Sequence, residues 1–144
     1  MLVRAATLKD HDAVVDLMQY LHASDPKLAK NVSLSKFREI SESRYFTITV
    51  AEIENQLVGS CYINVIPNLT RNAASYAVIE NVVTHPDHRL MGVGKTLVSN
   101  ALEQAKADGC YKVMLLTGGD TGVQQFYESC GMKSGVKTAF IERW

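Results

Sequence analysis

The sequence predicts an α+β fold in which helices pack against a mixed central β-sheet. Apolar residues alternate with polar ones in several short segments, and in others they recur at helical spacing. The two kinds of segment follow the order strand, two helices, three strands, helix, strand, helix, strand. Because a helix connects the fourth and fifth strands, these two are expected to be parallel, whereas the hairpin strands before them are antiparallel.

Composition is that of a single globular domain. The chain has 144 residues, 47% of them hydrophobic and 21% charged, with a formal net charge of zero. No overall field attracts nucleic acid or membrane, so we expect neither as a partner. The first seven residues lack a signal-peptide pattern, and Cys61, Cys110 and Cys130 are scattered. We therefore expect a cytoplasmic protein with three buried thiols, no disulfide and no metal.

The N-terminal third predicts one strand and two helices. Residues 2–6 form a short apolar strand, and Thr7 and Asp10 have the spacing of a capping box. Apolar residues at helical spacing then predict a helix over residues 8–22. A second helix is predicted over residues 34–43.

Three strands are predicted in the middle of the chain. Residues 45–53 and 57–66 are rich in β-branched and aromatic side chains, and the polar turn between them indicates an antiparallel hairpin. After a polar loop at residues 67–73, the fourth strand covers residues 75–84. It is broken at His85-Pro86-Asp87.

The C-terminal part alternates helices and strands. The clearest helical stripe runs from Val93 to Ala105 and is closed by Asp108-Gly109. A short fifth strand is predicted at residues 112–117, followed by a helix that stops at Gly131. Residues 136–144 are predicted to form one more strand.

The most informative motif lies between the fourth strand and the long helix. Glycines at such a junction let the backbone approach a ligand, and the first turn of a helix offers unpaired N–H groups to an anion. A pyrophosphate is the expected ligand. The residues concerned are Arg89, Leu90, Met91, Gly92, Val93, Gly94, Lys95 and Thr96.

Two motifs give the chain its resemblance to the GCN5-related N-acetyltransferase (GNAT) superfamily. Arg89, Gly92 and Gly94 match the family pattern Gln/Arg-x-x-Gly-x-Gly/Ala after the fourth strand. Residues 126–132, Phe-Tyr-Glu-Ser-Cys-Gly-Met, match the aromatic-Tyr-x-x-x-Gly-hydrophobic segment of the last helix. The resemblance covers nearly the whole chain, and it implies a GNAT-type acyl-CoA N-acyltransferase fold with a splayed β4/β5 pair and about four helices.

The resemblance implies an enzyme that moves the acetyl group of acetyl-CoA to a primary amine by direct transfer in a ternary complex, without a metal. In the family, the loop amides at residues 89–96 wrap the pyrophosphate. Gly92 and Gly94 would be needed because a Cβ obstructs that approach. Backbone groups near Val82 and Val83 pair with the pantetheine arm, which places the thioester where a backbone N–H stabilises the oxyanion.

The same resemblance implies two catalytic residues. Tyr127 matches the tyrosine that protonates the leaving thiolate, although its position also fits an apolar helix face. Glu80 lies where many relatives, among them glucosamine-6-phosphate N-acetyltransferases, carry the carboxylate that accepts the amine's proton. The alternative for Glu80 is a solvated or paired surface charge.

Several neighbouring residues receive weaker predictions. Asp120 occupies the place of an asparagine that helps to position the cofactor or the helix in relatives. His85 and His88 are expected to cap the turn or to face solvent, and Asn81 to touch substrate or fix the strand splay. The glycine-rich residues 117–122 are predicted to form a mobile lip over the acceptor site.

The acceptor stays open at this point. Residues 110–115 and 127–131 look close to the glucosamine-6-phosphate enzymes, but Gly118 replaces the acidic residue that those enzymes tend to place after the fifth strand. Dimerisation is common in the family, so a homodimer is a candidate assembly.

Two other functions fit parts of the sequence. Gly94-Lys95-Thr96 mimics the end of a P-loop, but the first glycine of that motif would fall at position 89, which is arginine. A non-catalytic acyl-CoA-binding module on the same fold is the second rival. The presence of both Glu80 and Tyr127 favours catalysis.

Overall fold

A computed structural model describes residues 1–118 and 120–144. Five strands form one sheet in the order β1-β2-β3-β4-β5. Neighbours from β1 to β4 are antiparallel, and β4 and β5 are parallel. The mixed sheet is therefore confirmed. The elements are β1 (Leu2–Ala5), α1 (His11–Gln19), α2 (Lys30–Ser41), β2 (Phe46–Ile53), β3 (Gln56–Ile66), β4 (Tyr76–Thr84), α3 (Val93–Ala107), β5 (Val113–Met114) and α4 (Thr121–Ser129).

The sheet separates two apolar layers. On one face, α3 packs its buried stripe, including Leu97 and Ala101, against Ile63 and Ile79 of the central strands. On the other face, α1 and α2 cover the sheet in a second cluster, formed by Val14, Phe37, Ile48 and Val50. Among the described residues, no helix is both long and apolar enough to cross a membrane.

The predicted capping box forms and belongs to a larger ionic cluster. The Thr7 backbone N–H donates to Asp10 Oδ2 at 2.7 Å at the start of a short 3-10 helix, Leu8–Asp10, that leads into α1. Arg4 donates to both Asp10 oxygens, at 2.8 and 2.9 Å, and to Glu52 on β2 at 2.9 Å. These bonds connect the edge strand β1 to the neighbouring strand β2 and to the short 3-10 helix.

Helix α2 begins four residues earlier than predicted. The Ala29 carbonyl accepts from the N–H groups of Val32 and Ser33, each at 3.0 Å. Alanine is a poor N-cap residue, so the sequence before α2 contains no signal for the start of a helix.

The predicted strand at residues 136–144 is wrong. These residues lie outside every described helix and strand, and their apolar side chains are exposed. A strand needs a neighbour to satisfy its N–H and C=O groups, and this segment pairs with none of the described strands. The predicted fifth strand is also shorter, because only Val113 and Met114 pair with β4.

The cysteine prediction is correct only in part. All three are free thiols, as expected, but only Cys61 is buried, whereas Cys110 and Cys130 are half-buried. Burial raises the pKa of Cys61 to about 12. It is also the main cause that raises the pKa values of the other two thiols. All three are therefore protonated and weakly nucleophilic near neutral pH.

Candidate active site

Strands β4 and β5 separate early. Their pairing is limited to Ala77 with Val113 and Val78 with Met114, although β4 continues to Thr84. The backbone of Val82 and Val83 therefore lies beyond the last described pair with β5. This is the splayed geometry that the family resemblance implies, and it leaves main-chain groups of β4 beyond Val78 without a partner on β5.

A β-bulge lies at the centre of β4. Ser60 pairs with Val83 and Tyr62 with Glu80, so Asn81 and Val82 together oppose Cys61. Asn81 takes a left-handed conformation, with φ +51°. A bulge bends its strand and re-aims the side chains next to it.

The bulge brings consecutive residues to two adjoining depressions. Glu80 lines a depression of about 270 Å³ together with Phe46, Tyr62 and Val78. Asn81 lines a second one of about 320 Å³, which also contains Tyr62. Because Tyr62 belongs to both, they form one groove over the α1/α2 face of the sheet. We call it the acceptor groove.

The part of the acceptor groove under α1 and α2 has mixed polarity. Its apolar wall includes Met18 and Phe37, and it also contains His22, Asp25 and Lys36. Lys36 is paired with Glu39 on the next turn of α2. The groove thus contains side chains of both signs of charge.

Tyr127 lies on α4 and is half-buried. Burial is the main cause that raises the pKa of its phenol, and electrostatic interactions with Cys130, Cys61 and Glu80 at alkaline pH add to the shift. Glu80, on β4, thus contributes least among these causes to the electrostatic environment of the phenol. The phenol is protonated at neutral pH, as a proton donor requires.

The predicted phosphate loop is exposed at the start of α3. Gly92 is the N-cap residue of this helix, and among the described residues no side chain caps its amides. Gly92 and Leu90 are both left-handed, with φ +81° and +62°. Leu90 and Met91 are exposed, and so is Lys95. Uncapped amides, the helix dipole and a nearby lysine fit a pyrophosphate.

The two glycines have different roles in the fold. A Cβ on Gly92 would meet open space among the described atoms, so its left-handed backbone is what favours glycine there. A Cβ on Gly94 would lie 3.2 Å from Phe126 Cζ and 3.5 Å from Thr84 Oγ1. Gly94 thus lets α4 approach α3, next to Tyr127.

Asp120 caps α4. Its Oδ1 accepts from the N–H of Gly122 at 2.7 Å and from that of Val123 at 3.4 Å. The family implies that this position helps to hold either the cofactor or the helix, and these bonds correspond to holding the helix. The lip predicted at residues 117–122 includes Gly119, which lies outside the described residues.

The histidines after β4 form a cluster that the sequence did not reveal. His85 Nδ1 accepts from the Asp87 N–H at 3.3 Å, so the predicted turn cap is confirmed. Neutral His85 then carries its proton on Nε2, which lies 3.2 Å from Tyr20 Oη at the end of α1. His88 stacks edge-on against His85, and its buried Nδ1 has no partner among the described residues.

This fold, with its splayed β4/β5 pair and the glycine loop before α3, is that of the GNAT class of acetyltransferases. The profile of the family described as "Acetyltransferase (GNAT) family" matches residues 14–132. The chain belongs to this family, as its two sequence motifs implied.

Named relatives agree with this family. The chain is 35% identical to a glucosamine 6-phosphate N-acetyltransferase of Trypanosoma brucei brucei over 55% of its length, and it spans about half (52%) of that protein. It is 31% identical to the enzyme of that name from Schizosaccharomyces pombe, over 66% of this chain and 86% of the other. A solved structure of a putative acetyltransferase from Agrobacterium tumefaciens is 41% identical, covers all of both chains and superposes with a TM-score of 0.97.

Proposed function

We propose that the protein transfers the acetyl group of acetyl-CoA directly to the primary amine of a small molecule bound in the acceptor groove. The observation that supports this proposal is the early separation of β4 from β5, with Glu80 lining the groove on β4 and the half-buried, protonated Tyr127 on α4. Acetyl-CoA supplies the activated acetyl thioester. The loop at residues 89–96 would hold its pyrophosphate, and the backbone of Val82 and Val83 its pantetheine arm.

The chain's own groups then have complementary tasks. Glu80, on the open side of the groove, accepts a proton from the amine directly or through water. The protonated phenol of Tyr127 donates toward the leaving sulfur. Since all three thiols have raised pKa values, an acyl-cysteine intermediate is disfavoured, which supports direct transfer. Among the described residues, no group of three or more His, Cys, Asp or Glu side chains could hold a metal ion.

Glucosamine 6-phosphate is the specific acceptor that the named relatives favour. The mixed charges of the groove allow it, because Lys36 and His22 can face a phosphate. The pairing of Lys36 with Glu39 argues against recognition of a phosphate, since it already neutralises part of the positive charge in the groove.

The test is release of free CoA thiol with a panel of amines. Glucosamine 6-phosphate, glucosamine and a linear polyamine separate recognition of the phosphate from recognition of the amine. Phosphate recognition predicts a kcat/KM for the sugar phosphate at least about tenfold above that for glucosamine, since a charge-assisted hydrogen bond contributes ~1.5–3 kcal/mol. Binding of acetyl-CoA without turnover of any amine would instead favour the non-catalytic module.

Replacement of the proposed base tests the site itself. Glu80→Gln is expected to lower kcat by about 10²-fold near neutral pH. The deficit should narrow as pH rises toward the pKa of the acceptor amine, because a free amine needs no base. The control is Glu103→Gln, on the exposed face of α3, which should leave the rate unchanged. Equal deficits at every pH would contradict a base role for Glu80.

A further inference from the structure

Two side chains of β3 present hydrogen-bonding groups to the acceptor groove. Tyr62 and Asn64 are separated by one residue, so they lie on the same face of the sheet. The strand register places Tyr62 opposite Glu80 and Asn64 opposite Val78. All four residues line the depression that contains the proposed base. The β3 side of this depression therefore lies directly across from Glu80.

Neither side chain uses its polar group within the described part of the protein. The Tyr62 hydroxyl and the Asn64 amide form no side-chain hydrogen bond with the described residues. Both residues are half-buried, yet their polar atoms are open to the groove, because the buried unpartnered side-chain atoms of this part of the chain belong to Ser60 and His88. A partner for each must come from solvent or from a bound molecule.

The chemistry of the two groups matches a neutral hydroxyl. The Tyr62 ring packs edge-on against Phe46, with ring centroids 5.6 Å apart, which holds the phenol in place. Burial raises the pKa of this phenol, so its hydroxyl is protonated at neutral pH and can both donate and accept. The Asn64 amide has the same dual capacity. A hydroxyl group of a ligand also donates and accepts, so it can pair with either side chain.

The charge of the depression favours neutral groups around the amine. Glu80 is the one charged residue among the described residues that line it. A carboxylate or phosphate attached next to the amine would lie beside Glu80, and no lining cation would offset the repulsion between the two negative charges. Hydroxyl groups at the same positions carry no such cost.

The spacing of the three polar side chains suits hydroxyls close to the amine. Directly opposite residues on neighbouring antiparallel strands have Cβ atoms about 4.5–5.5 Å apart, and diagonal neighbours are about 7–8 Å apart. Tyr62 is opposite Glu80, and Asn64 is diagonal to it. An amine held at Glu80 therefore brings a hydroxyl on an adjacent carbon within reach of Tyr62, and a hydroxyl further along within reach of Asn64.

We propose that Tyr62 and Asn64 are specificity-determining residues that hydrogen-bond to hydroxyl groups near the amine of the acceptor. They select a hydroxylated amine, an amino alcohol or an amino sugar, over an alkyl amine of the same shape. This inference rests on the proposed function, because it requires the amine to be delivered to Glu80. It assigns recognition of the amine end of the acceptor to neutral side chains and does not depend on a phosphate.

Glucosamine and cyclohexylamine are the acceptors for the test, because each carries a primary amine on a six-membered ring and only glucosamine has hydroxyls. Tyr62→Phe and Asn64→Leu should each raise the KM for glucosamine about tenfold with little change in kcat, since each removes a hydrogen bond to the acceptor. Neither substitution should raise the KM for cyclohexylamine. Each acceptor is compared with itself between variants, so the different basicities of the two amines cancel.

Tyr45→Phe is the control, because it removes a hydroxyl from an exposed tyrosine just before β2. It should leave both KM values unchanged. The inference is overturned if Tyr62→Phe and Asn64→Leu raise the KM for both acceptors alike, or for neither. Tyr62→Phe keeps the ring that packs against Phe46, so the fold is retained.

Failure of the proposed function gives a different result. If no amine is acetylated, calorimetric titration of glucosamine into the CoA-saturated protein makes the same comparison without turnover. A Kd for glucosamine that rises about tenfold in Tyr62→Phe and in Asn64→Leu, but not in Tyr45→Phe, supports the recognition role. An equal Kd in all variants, or no binding of glucosamine by the parent protein, overturns it.

Discussion

At the residue scale, the bulge in β4 determines which side chains reach the acceptor groove. One extra residue, Asn81, is accommodated by a left-handed backbone, so that Glu80 and Asn81 both line the groove beside Tyr62. The sequence singled out Glu80 as a carboxylate in an apolar run and left two roles open for Asn81. The sequence did not indicate Tyr62 as a groove residue, because an aromatic residue in a strand has the pattern of a core residue.

The phenol of Tyr127 provides the sharpest residue-scale prediction. Tyr127→Phe should lower kcat by about 10²-fold while the Kd for acetyl-CoA stays nearly unchanged. Because its pKa is raised, mainly by burial, the phenol stays protonated past its ordinary range. Any alkaline decline in kcat that depends on it should therefore begin above about pH 10.

Tyr111→Phe is the matched control for this prediction. Tyr111 is an exposed tyrosine just before β5. Steady-state kinetics together with calorimetric binding of acetyl-CoA separates the two effects. If Tyr127→Phe weakens binding and leaves kcat intact, the residue positions the cosubstrate and does not donate the proton.

At the element scale, the start of α3 combines a conformational requirement with a binding surface. Gly92→Ala places a Cβ in a left-handed conformation, which costs about 1–2 kcal/mol. The expected result is lower stability together with weaker binding of acetyl-CoA, because relief of the strain moves the amides of the loop.

Gly109→Ala is the control for that substitution. Gly109, at the other end of α3, is also left-handed with φ +73°, and a Cβ there would likewise meet open space in the described part of the chain. Thermal unfolding should show a similar loss of stability in both variants, and isothermal titration should show weaker acetyl-CoA binding only in Gly92→Ala. Equal affinities would mean that the loop does not hold the cosubstrate.

The ionic cluster of Arg4, Asp10 and Glu52 makes a prediction about the edge of the sheet. The hydrogen bonds from Arg4, and then from Thr7, hold the pKa of the Asp10 carboxyl well below its usual range. The resulting stability is present above the ordinary carboxyl pKa of about 3.9 and is lost as pH falls toward the lowered value.

Asp10→Asn should therefore cost about 2 kcal/mol at neutral pH, and this cost should shrink as the pH is lowered below about 4. Asp16→Asn removes only an exposed ion pair, Lys27 with Asp16 at 3.8 Å, and should change stability by less than about 0.5 kcal/mol. Denaturant unfolding from pH 3 to 7 measures both. A cost independent of pH would show that the carboxylate charge is not the source.

At the scale of the whole molecule, local signals predicted most of the fold. Alternating apolar residues and apolar residues at helical spacing predicted nine of the strands and helices. Gly109 and Gly131 end their helices with left-handed backbones, as expected. The predictions fail where no local sequence signal determines the structure of the segment. Helix α2 follows an alanine N-cap with no capping signal, and residues 136–144 have the pattern of a strand but pair with none of the described strands.

The same contrast applies to the candidate site. The loop at residues 89–96 and the Tyr127 helix were found from glycine and aromatic spacing, which are local. The acceptor groove could not be found this way, since it joins α1, α2, β3 and β4 across long sequence separations. The Tyr20–His85–His88 cluster is non-local for the same reason.

The central claim, an acetyl-CoA site at the start of α3, is tested most directly by thermal unfolding with acetyl-CoA, CoA, ATP or no ligand. A ligand at 100 times its Kd adds about 2.7 kcal/mol of stability, which for a chain of this size raises Tm by several degrees. We expect this rise with acetyl-CoA and with CoA, and little or none with ATP. A rise with ATP alone, or with none of the three, would contradict it.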